Sequence, residues 1–316
     1  MFSDRVLKPA VAAIANKIDR DGLVMAKNNT ANIVGTAGTP PTGLITYLTA
    51  AAYLDAEGAP RDGRRSCIVE PFTSATIVDS LKGLFVPQEA IGEQYRKGLM
   101  GRDSAGMNWK MDQNVVSQTF GSSSTAVLSC NTSTATGFLT SGWASTSTIA
   151  LSATTAAGNL NVGDVIQIAN VYAVNPQNRQ AYGSNKLRNF VVTAAATVAT
   201  SGTTSVTVSP AVITAGQFQN VSVTSPGAST VTPFNNTGTV SPQNIIMHRN
   251  AFCLAVADLE LPEGVHFAGR ASDKEIGLSM RVVRQYTINN DSIPTRLDVL
   301  YGWAPLYPEL ACRVAA

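Results

Sequence analysis

The charged residues of this 316-residue chain are distributed very unevenly. The chain has 23 basic and 21 acidic side chains, yet residues 117–240 carry only Asp164, Arg179, Lys186 and Arg188. This segment is rich in Thr, Ser, Ala, Gly and Val, a composition that is typical of short strands joined by turns. The sequence therefore predicts a β-rich module inserted into a host domain of another kind. An inserted module adds a surface that a single copy of the host does not need, which favours an assembly protein.

The remaining composition excludes several classes of protein. A net charge of +2 and a pI near 8.3 do not require nucleic acid as a partner. The four cysteines lie far apart in the sequence, which favours reduced, structural thiols over a zinc site or a disulfide framework. No apolar run is long enough to cross a bilayer, and the N-terminus does not resemble a signal peptide. We therefore expect no cofactor, no metal and no membrane partner.

Helices are predicted in the first part of the chain and strands in the last. Apolar periodicity indicates a long helix over residues 7–25, a second helix capped by Thr42, and a third helix opened by Thr73 or Ser74. A further helix is predicted to begin at Pro87. A short strand is expected at residues 67–69, and later strands at 252–256, 278–283 and 297–301. Because both parts must close on one core, the fold class is α+β.

The charge-poor segment shows the two-residue alternation of half-buried strands. Examples of the alternation are Ile149/Leu151, Phe190/Val192, Val206/Val208 and Val221/Val223. Gly and Pro interrupt these strands at short intervals, as in a small barrel or sandwich. Gly163 and Asp164 form a predicted turn into a strand, where Gly supplies backbone freedom and Asp bonds the backbone two residues further on.

Few residues are candidates for catalysis. The only histidines are His248 and His266, and neither accompanies a nucleophile-elbow pattern. The glycines near Gly35 lack the Lys-Ser/Thr of a phosphate-binding loop. We therefore predict that the protein is not an enzyme. The cationic side chains Lys82, Arg96, Lys97 and Arg102 are interpreted as a solvated helix face, the alternative being nonspecific contacts with DNA.

Several segments together resemble the P22-like family of phage coat proteins. The resemblance is most specific at Asp298-Val299-Leu300-Tyr301-Gly302, followed by Tyr307-Pro308-Glu309-Leu310-Ala311. It also covers residues 8–21, 61–65, 95–98 with Trp109, and 278–281. Within the charge-poor segment it covers Gly163-Asp164, residues 174–176 and residues 190–193. The segments occur in the same order as in the family and span nearly the whole chain.

The resemblance implies the HK97-like capsid fold. Residues 1–116 and 241–316 would form a discontinuous capsid core with a spine helix, a peripheral domain and an axial domain. Residues 117–240 would form the inserted β-barrel domain. In the family an N-terminal arm and a β-hairpin loop precede the spine helix, whereas this chain starts almost at that helix, so arm and loop contacts are assigned to no residue here.

The resemblance also implies a function and its partners. The chain would be the major capsid protein of a tailed double-stranded DNA phage, assembling into pentamers and hexamers of an icosahedral shell. Expected partners are other copies of itself, a scaffolding protein, a portal, packaged DNA contacted nonspecifically, and a decoration protein. Assembly is expected in the host cytoplasm and the final location is the virion. The alternatives are a β-rich surface-binding or adhesin protein and, with the weakest support, a hydrolase.

Two surfaces are candidates for contacts between subunits. Arg61, Asp62, Arg64 and Arg65 form a predicted exposed turn, in which three cations exceed the needs of one carboxylate and one of them would pair with an acid of an adjacent copy. The other interpretation of this turn is a solvated one. The second surface is the uncharged loop of residues 131–147, where Phe138 and Trp143 either contact a neighbour or fill the barrel.

Overall fold

A computed structural model describes residue 5 and the ranges 8–81, 104–123, 126–131, 137–182, 186–223, 228–272 and 277–316. Its contacts divide the chain into two compact units. The first unit comprises Met1–Gly22 and Phe252–Leu306, and the second comprises Leu23–Ala251 and Tyr307–Ala316. The helix predicted at Pro87 and the cations Lys82, Arg96, Lys97 and Arg102 lie outside the described residues.

Short strands make up most of the secondary structure. The helices are α1 (Lys8–Asn29), α2 (Leu44–Ala56) and α3 (Pro71–Leu81). The strands in chain order are β1 (Ile33–Gly35), β2 (Arg65–Val69), β3 (Asn108–Met111), β4 (Ser117–Thr119), β5 (Leu128–Asn131), β6 (Phe138–Leu139), β7 (Ser147–Ala153), β8 (Gly158–Leu160), β9 (Val165–Ala173), β10 (Leu187–Val192), β11 (Ala196–Val198), β12 (Thr204–Ser209), β13 (Val212–Ile213), β14 (Val221–Val223), β15 (Ala228–Pro233), β16 (Val240–His248), β17 (Phe252–Ala257), β18 (Phe267–Ser272), β19 (Ser279–Arg284), β20 (Thr295–Asp298), β21 (Leu300–Pro305) and β22 (Ala311–Ala315). None of the helices in the described ranges is long and apolar enough to cross a membrane.

The three predicted helices are confirmed, but two of the predicted starts are wrong. Helix α2 begins after Gly43, which provides no side-chain cap, so the hydroxyl of Thr42 does not have the capping role that we expected. Helix α3 begins at Pro71 instead of at Thr73 or Ser74. Proline suits the first turn of a helix, since its fixed φ is already helical and its missing N–H has no partner there.

Sheet and helices share one core in the second unit. Five strands lie in the order β1-β22-β16-β2-β3, and β4 pairs separately with β16. Helix α2 contributes the buried side chains of Tyr47 and Leu54, and α3 contributes Ile77. Cys67 and Ile246 of the sheet belong to the same cluster. Burial of large apolar side chains on one face of the sheet stabilises this part of the unit.

The charge-poor segment of the second unit forms a closed barrel of six antiparallel strands. Their order is β10-β12-β7-β5-β15-β9, and β9 pairs back to β10, which closes the barrel. Strand β14 also pairs with β9, and its Val221 belongs to the barrel core. The predicted alternation is confirmed for β7 and β12, where Ile149, Leu151, Val206 and Val208 belong to the barrel core. It is wrong for β10, where Val191 is buried as well as Phe190 and Val192. Of the two predicted architectures, the barrel is correct.

Small antiparallel sheets and the first part of α1 form the first unit. Strands β17 and β21 pair as a ribbon, and β18, β19 and β20 form a three-stranded sheet. The indole of Trp303 donates a hydrogen bond of 2.9 Å to the carbonyl of Ile18, and the hydroxyl of Tyr301 donates one of 2.7 Å to Asp21. The predicted strand at residues 297–301 is two strands that separate at Val299.

Asp298 begins the most specific segment of the sequence resemblance, and its role in the first unit is structural. Its carboxylate accepts hydrogen bonds from the guanidinium groups of Arg281, at 2.6 Å, and Arg296, at 2.5 Å. The hydrogen bond from Arg281 is the main reason that the pKa of Asp298 lies below its usual range. Arg281 also donates to the carbonyl of Glu260 at 2.6 Å. This ion network therefore joins strands β19 and β20 to the segment that follows β17.

We predict that residues 117–240 fold by themselves, because every buried side chain of the barrel core lies within this segment. The isolated segment should give well-dispersed amide signals in NMR spectra. A shorter fragment that begins at residue 137 provides the control, since it lacks β5 and cannot close the barrel. Collapsed signals from the longer fragment would show that the barrel needs the rest of the chain.

Candidate functional site

The turn at Gly163 and Asp164 lies where the barrel meets the six-stranded sheet. Gly163 has a φ of +90°, which L side chains rarely adopt, so the predicted need for glycine is confirmed. Asp164 is almost completely buried. Its carboxylate accepts hydrogen bonds from the N–H groups of Asn161, at 2.8 Å, and Gly121, at 2.9 Å. The expectation that Asp164 bonds the backbone two residues further on is therefore wrong, because its partners precede it in the chain.

Gln118 of β4 links this turn to the end of helix α1. Its side-chain amide donates to Asp164 at 2.9 Å, and its amide oxygen accepts a hydrogen bond of 2.5 Å from the ammonium group of Lys27. Lys27 lies in the last turn of α1, where a cation is favoured by the helix dipole. Burial, together with the nearby charge of Arg313, lowers the pKa of Lys27 to about 8. The turn, β4 and α1 are thus connected by buried polar contacts.

A second polar contact joins the barrel to the C-terminal end of α2. The hydroxyl of Tyr182 donates to the carbonyl of Ala56, one of the last carbonyls of the helix. The ammonium group of Lys186 lies 3.4 Å from the ring centroid of Tyr53. Arg188 forms an ion pair with Glu57, in which both side chains are largely buried. Burial raises the pKa of Glu57, and the charge of Arg188 opposes that shift.

These contacts assign a role to the few charges of the barrel segment. Asp164, Lys186 and Arg188 all lie where the barrel contacts the rest of the second unit, whereas Arg179 is exposed. Sequence reasoning noticed the scarcity of charge but missed the role of the charges that remain. Their isolation in the sequence did not identify this role, because Arg179 is equally isolated and yet exposed. The general rule applies only after burial is known, since buried charges are almost always paired.

The predicted charged turn is exposed only in part. Arg65 is buried in β2 and donates to Asp55 at 2.7 Å and to the carbonyl of Ala59 at 2.6 Å. The exposed Arg61 also pairs with Asp55. The expectation that Arg65 is exposed is therefore wrong, because Asp55 of the same chain supplies the carboxylate that the sequence argument sought in another copy. The side chain of Arg64 is 62% exposed, and its Nε lies 3.7 Å from Asp62.

The two aromatic residues of the uncharged loop lie in different environments. Phe138 is partly buried against the barrel core and begins β6, which pairs with β13. Trp143 is 69% exposed. The structure thus supports the barrel-filling alternative for Phe138 and leaves Trp143 as the exposed aromatic side chain of this loop.

Both histidines make contacts that fix the chain locally. His248 is buried, its Nε2 lies 3.2 Å from a carboxylate oxygen of Asp62, and its Nδ1 accepts the N–H of Asn250 at 3.3 Å. His266 accepts the N–H of Tyr286 at 3.3 Å. These contacts, together with the use of the barrel charges in docking, are structural roles, as expected in a structural protein.

Comparison with known families agrees with this class. The family model described as P22 coat protein, gene protein 5, matches residues 1–313. The chain belongs to the P22 coat protein family, and it is a major capsid structural protein of a bacteriophage. This is a family of structural coat proteins and not of enzymes, and its members self-assemble into a capsid shell in the virion. None of the curated proteins matches the chain.

We predict that Gly163→Val lowers soluble yield more than it lowers assembly of the protein that folds. A Cβ at this position would lie 2.8 Å from the amide oxygen of Gln118, and the backbone strain alone costs about 1 kcal/mol or more. Gly202→Val is the matched control, since Gly202 has a φ of +81° but a Cβ added there would have no atom within 4 Å. Normal solubility of Gly163→Val with no shells would instead assign the turn to a subunit interface.

Asp164→Ala should show the same pattern of low soluble yield. This change removes the acceptor of two backbone N–H groups and of Gln118, and each buried donor left without a partner costs about 1–3 kcal/mol. Soluble protein and shells are measured side by side, as for Gly163→Val. Wild-type yield of soluble Asp164→Ala would contradict the structural role of this carboxylate.

We also predict that Arg188→Met destabilises the second unit by about 3–5 kcal/mol, because it leaves Glu57 buried without its partner. The double variant Arg188→Met with Glu57→Gln should recover part of this loss. Arg179→Met is the control for loss of an exposed arginine of the same segment. Urea denaturation gives the free energies of unfolding. Equal free energies of unfolding for Arg188→Met and Arg179→Met would contradict the docking role of Arg188.

Proposed function

We propose that the chain is the major capsid protein of an icosahedral shell of a tailed double-stranded DNA phage and has the HK97-like fold. In this proposal α1 is the spine helix, the first unit supplies the peripheral domain, and the six-stranded sheet with α2 and α3 supplies the axial domain. The capsid core comprises residues 1–116 and 241–316. Residues 117–240 are the inserted β-barrel domain.

The observation that carries this proposal is the pairing of β4 with β16. Ser117 pairs with Pro242 and Thr119 pairs with Val240, so the two ends of the barrel segment lie side by side. Adjacent ends are what insertion of a domain into a host requires, because the host can then close beneath it. The host sheet is continuous across this point, since β16 goes on to pair with β22 and β2. The pairing therefore supports an insertion at residues 117 and 240.

The proposed partners are those of a shell that assembles around a scaffolding protein and is then filled with DNA. Copies of the chain form pentamers and hexamers with the help of a scaffolding protein and a portal. Packaged DNA is contacted nonspecifically, a decoration protein binds the outside, and assembly takes place in the host cytoplasm. Family membership and the mild net charge of +2 support this set of partners.

For contacts between subunits we propose two surfaces. The first is the exposed part of the charged turn, formed by Arg61, Asp62 and Arg64, from which Arg65 is excluded by its burial. The second is Trp143, whose exposed indole supplies a large apolar area. Contacts that are individually weak suffice in a closed shell, because each is repeated in every copy.

We predict that Arg64→Glu leaves the monomer folded and raises the protein concentration needed for assembly. Among the described residues, the side chain of Arg64 makes only a long contact with Asp62, so reversing its charge disturbs the fold little and acts on a neighbouring copy. Light scattering across protein concentrations measures assembly, and electron microscopy identifies the products. Arg179→Glu, an equal change of charge on an exposed barrel residue, is the control.

The possible outcomes test the proposed shell and the proposed interface separately. Closed shells of the wild-type protein support the shell, whereas monodisperse monomers under all conditions contradict it. Unchanged assembly of a folded Arg64→Glu variant rejects the charged turn as an interface without affecting the shell. Trp143→Ser in the same assay tests the second surface in the same way.

A further inference from the structure

Arg313 is the most unusual charged group among the described residues. It lies on β22, an interior strand of the sheet, and is completely buried. Within the part of the chain that the structure describes, none of its three guanidinium nitrogens has a hydrogen-bond partner. An arginine in this state is costly, because its charge and its donors have left water without compensation. The guanidinium of Arg313 therefore has no acceptor among the hydrogen bonds of the described residues.

The charges around Arg313 do not balance. Lys27 is a second buried cation, and its hydrogen-bond partner is the neutral amide oxygen of Gln118. Asp164 is the carboxylate that interacts electrostatically with both cations. Its two oxygens already accept hydrogen bonds from Gln118, Gly121 and Asn161. Two cations and one carboxylate leave an excess of one positive charge in a buried place.

The pKa values of Arg313 and of the neighbouring Cys312 both bear on this charge balance. Burial lowers the pKa of Arg313 to about 10, and the charge of Asp164 opposes that shift. The neighbouring thiol of Cys312 does not provide a negative charge, because burial raises its pKa far above the usual range. A neutral water molecule would satisfy one donor but would leave the charge uncompensated. An anion supplies both the acceptor and the missing charge.

We propose that Arg313 and Lys27 form a buried binding site for a small monovalent anion of the size of chloride. One negative charge balances the site, whereas a divalent anion would reverse the imbalance and would cost more to dehydrate. The bound anion would hold together the end of α1, strand β22 and the barrel turn at Asp164. The site thus lies in the joint between the barrel and the sheet.

The first test is amide hydrogen exchange of the full chain in sodium chloride and in sodium gluconate at equal ionic strength. Gluconate is too large for a buried site. When chloride is 100 times its Kd, the opening constant of peptides that contain β22 and β4 should fall about 100-fold relative to gluconate. Peptides from β18 and β19 of the first unit serve as the internal control and should not change. Equal exchange of β22 in the two salts would overturn the proposal.

Variants then assign the effect to this cluster. Lys27→Met removes the ammonium group while keeping a long apolar side chain, and we expect the protection by chloride to weaken at least 10-fold. Lys17→Met removes an exposed lysine of the same helix and should keep the full protection. Full protection in Lys27→Met would reject the assignment to this site.

A direct measurement avoids variants of Arg313, whose central position in the sheet makes them prone to misfold. Crystals of the wild-type protein grown in sodium bromide should show anomalous density within contact distance of the Arg313 guanidinium. Density for water alone at this place would overturn the proposal, even if chloride protects the chain elsewhere.

Discussion

Strand β16 is the element on which the second unit depends, because it is hydrogen-bonded to three other strands. Its first residues pair with β4, and its later residues pair with β22 on one side and β2 on the other. The barrel segment leaves from β4 and returns into β16, so one strand fixes both the register of the sheet and the spacing of the barrel ends. A slip of one residue would turn Ile246 away from the core and move Val240 from its place opposite Thr119.

Apolar contact alone does not explain how the barrel is oriented on the sheet. Among the described residues, the small buried cluster at this place contains Ile33, Phe120, Val165 and Ala315, with the partly buried Ala37 and Phe234 packed against it. Hydrophobic attraction has no direction, so a cluster of this size allows several arrangements of similar free energy. The bonds of Asp164 and the ion pair of Arg188 do have direction, and they lie at separate places on the barrel. Two directional contacts of this kind restrict rotation of the barrel, which is the specificity that buried polar groups can provide at some cost in stability.

Sequence reasoning succeeded where a single local pattern determines the outcome. The alternation of Ile149/Leu151 and Val206/Val208 was sufficient for the barrel strands, because one face of each strand must be buried. It failed where the deciding partner is distant in sequence. Arg65 looked exposed because its carboxylate, Asp55, lies on the preceding helix, and the partners of Asp164 could not be read from the turn itself.

The candidate site was hardest to predict for the same reason. No local pattern distinguishes Lys27 or Arg313, and only the sheet order, which places β22 between β1 and β16, buries Arg313 completely.

The distribution of charge also limits how copies of this coat protein recognise one another. Among the four charges of the barrel segment, Asp164, Lys186 and Arg188 are used in internal contacts, and Arg179 is exposed. The barrel therefore produces almost no electrostatic field towards a neighbouring copy. Outer Thr and Ser side chains can offer a neighbouring copy only short-range hydrogen bonds. In the proposed shell, recognition at a distance would then depend on charges outside residues 117–240, where salt would screen it.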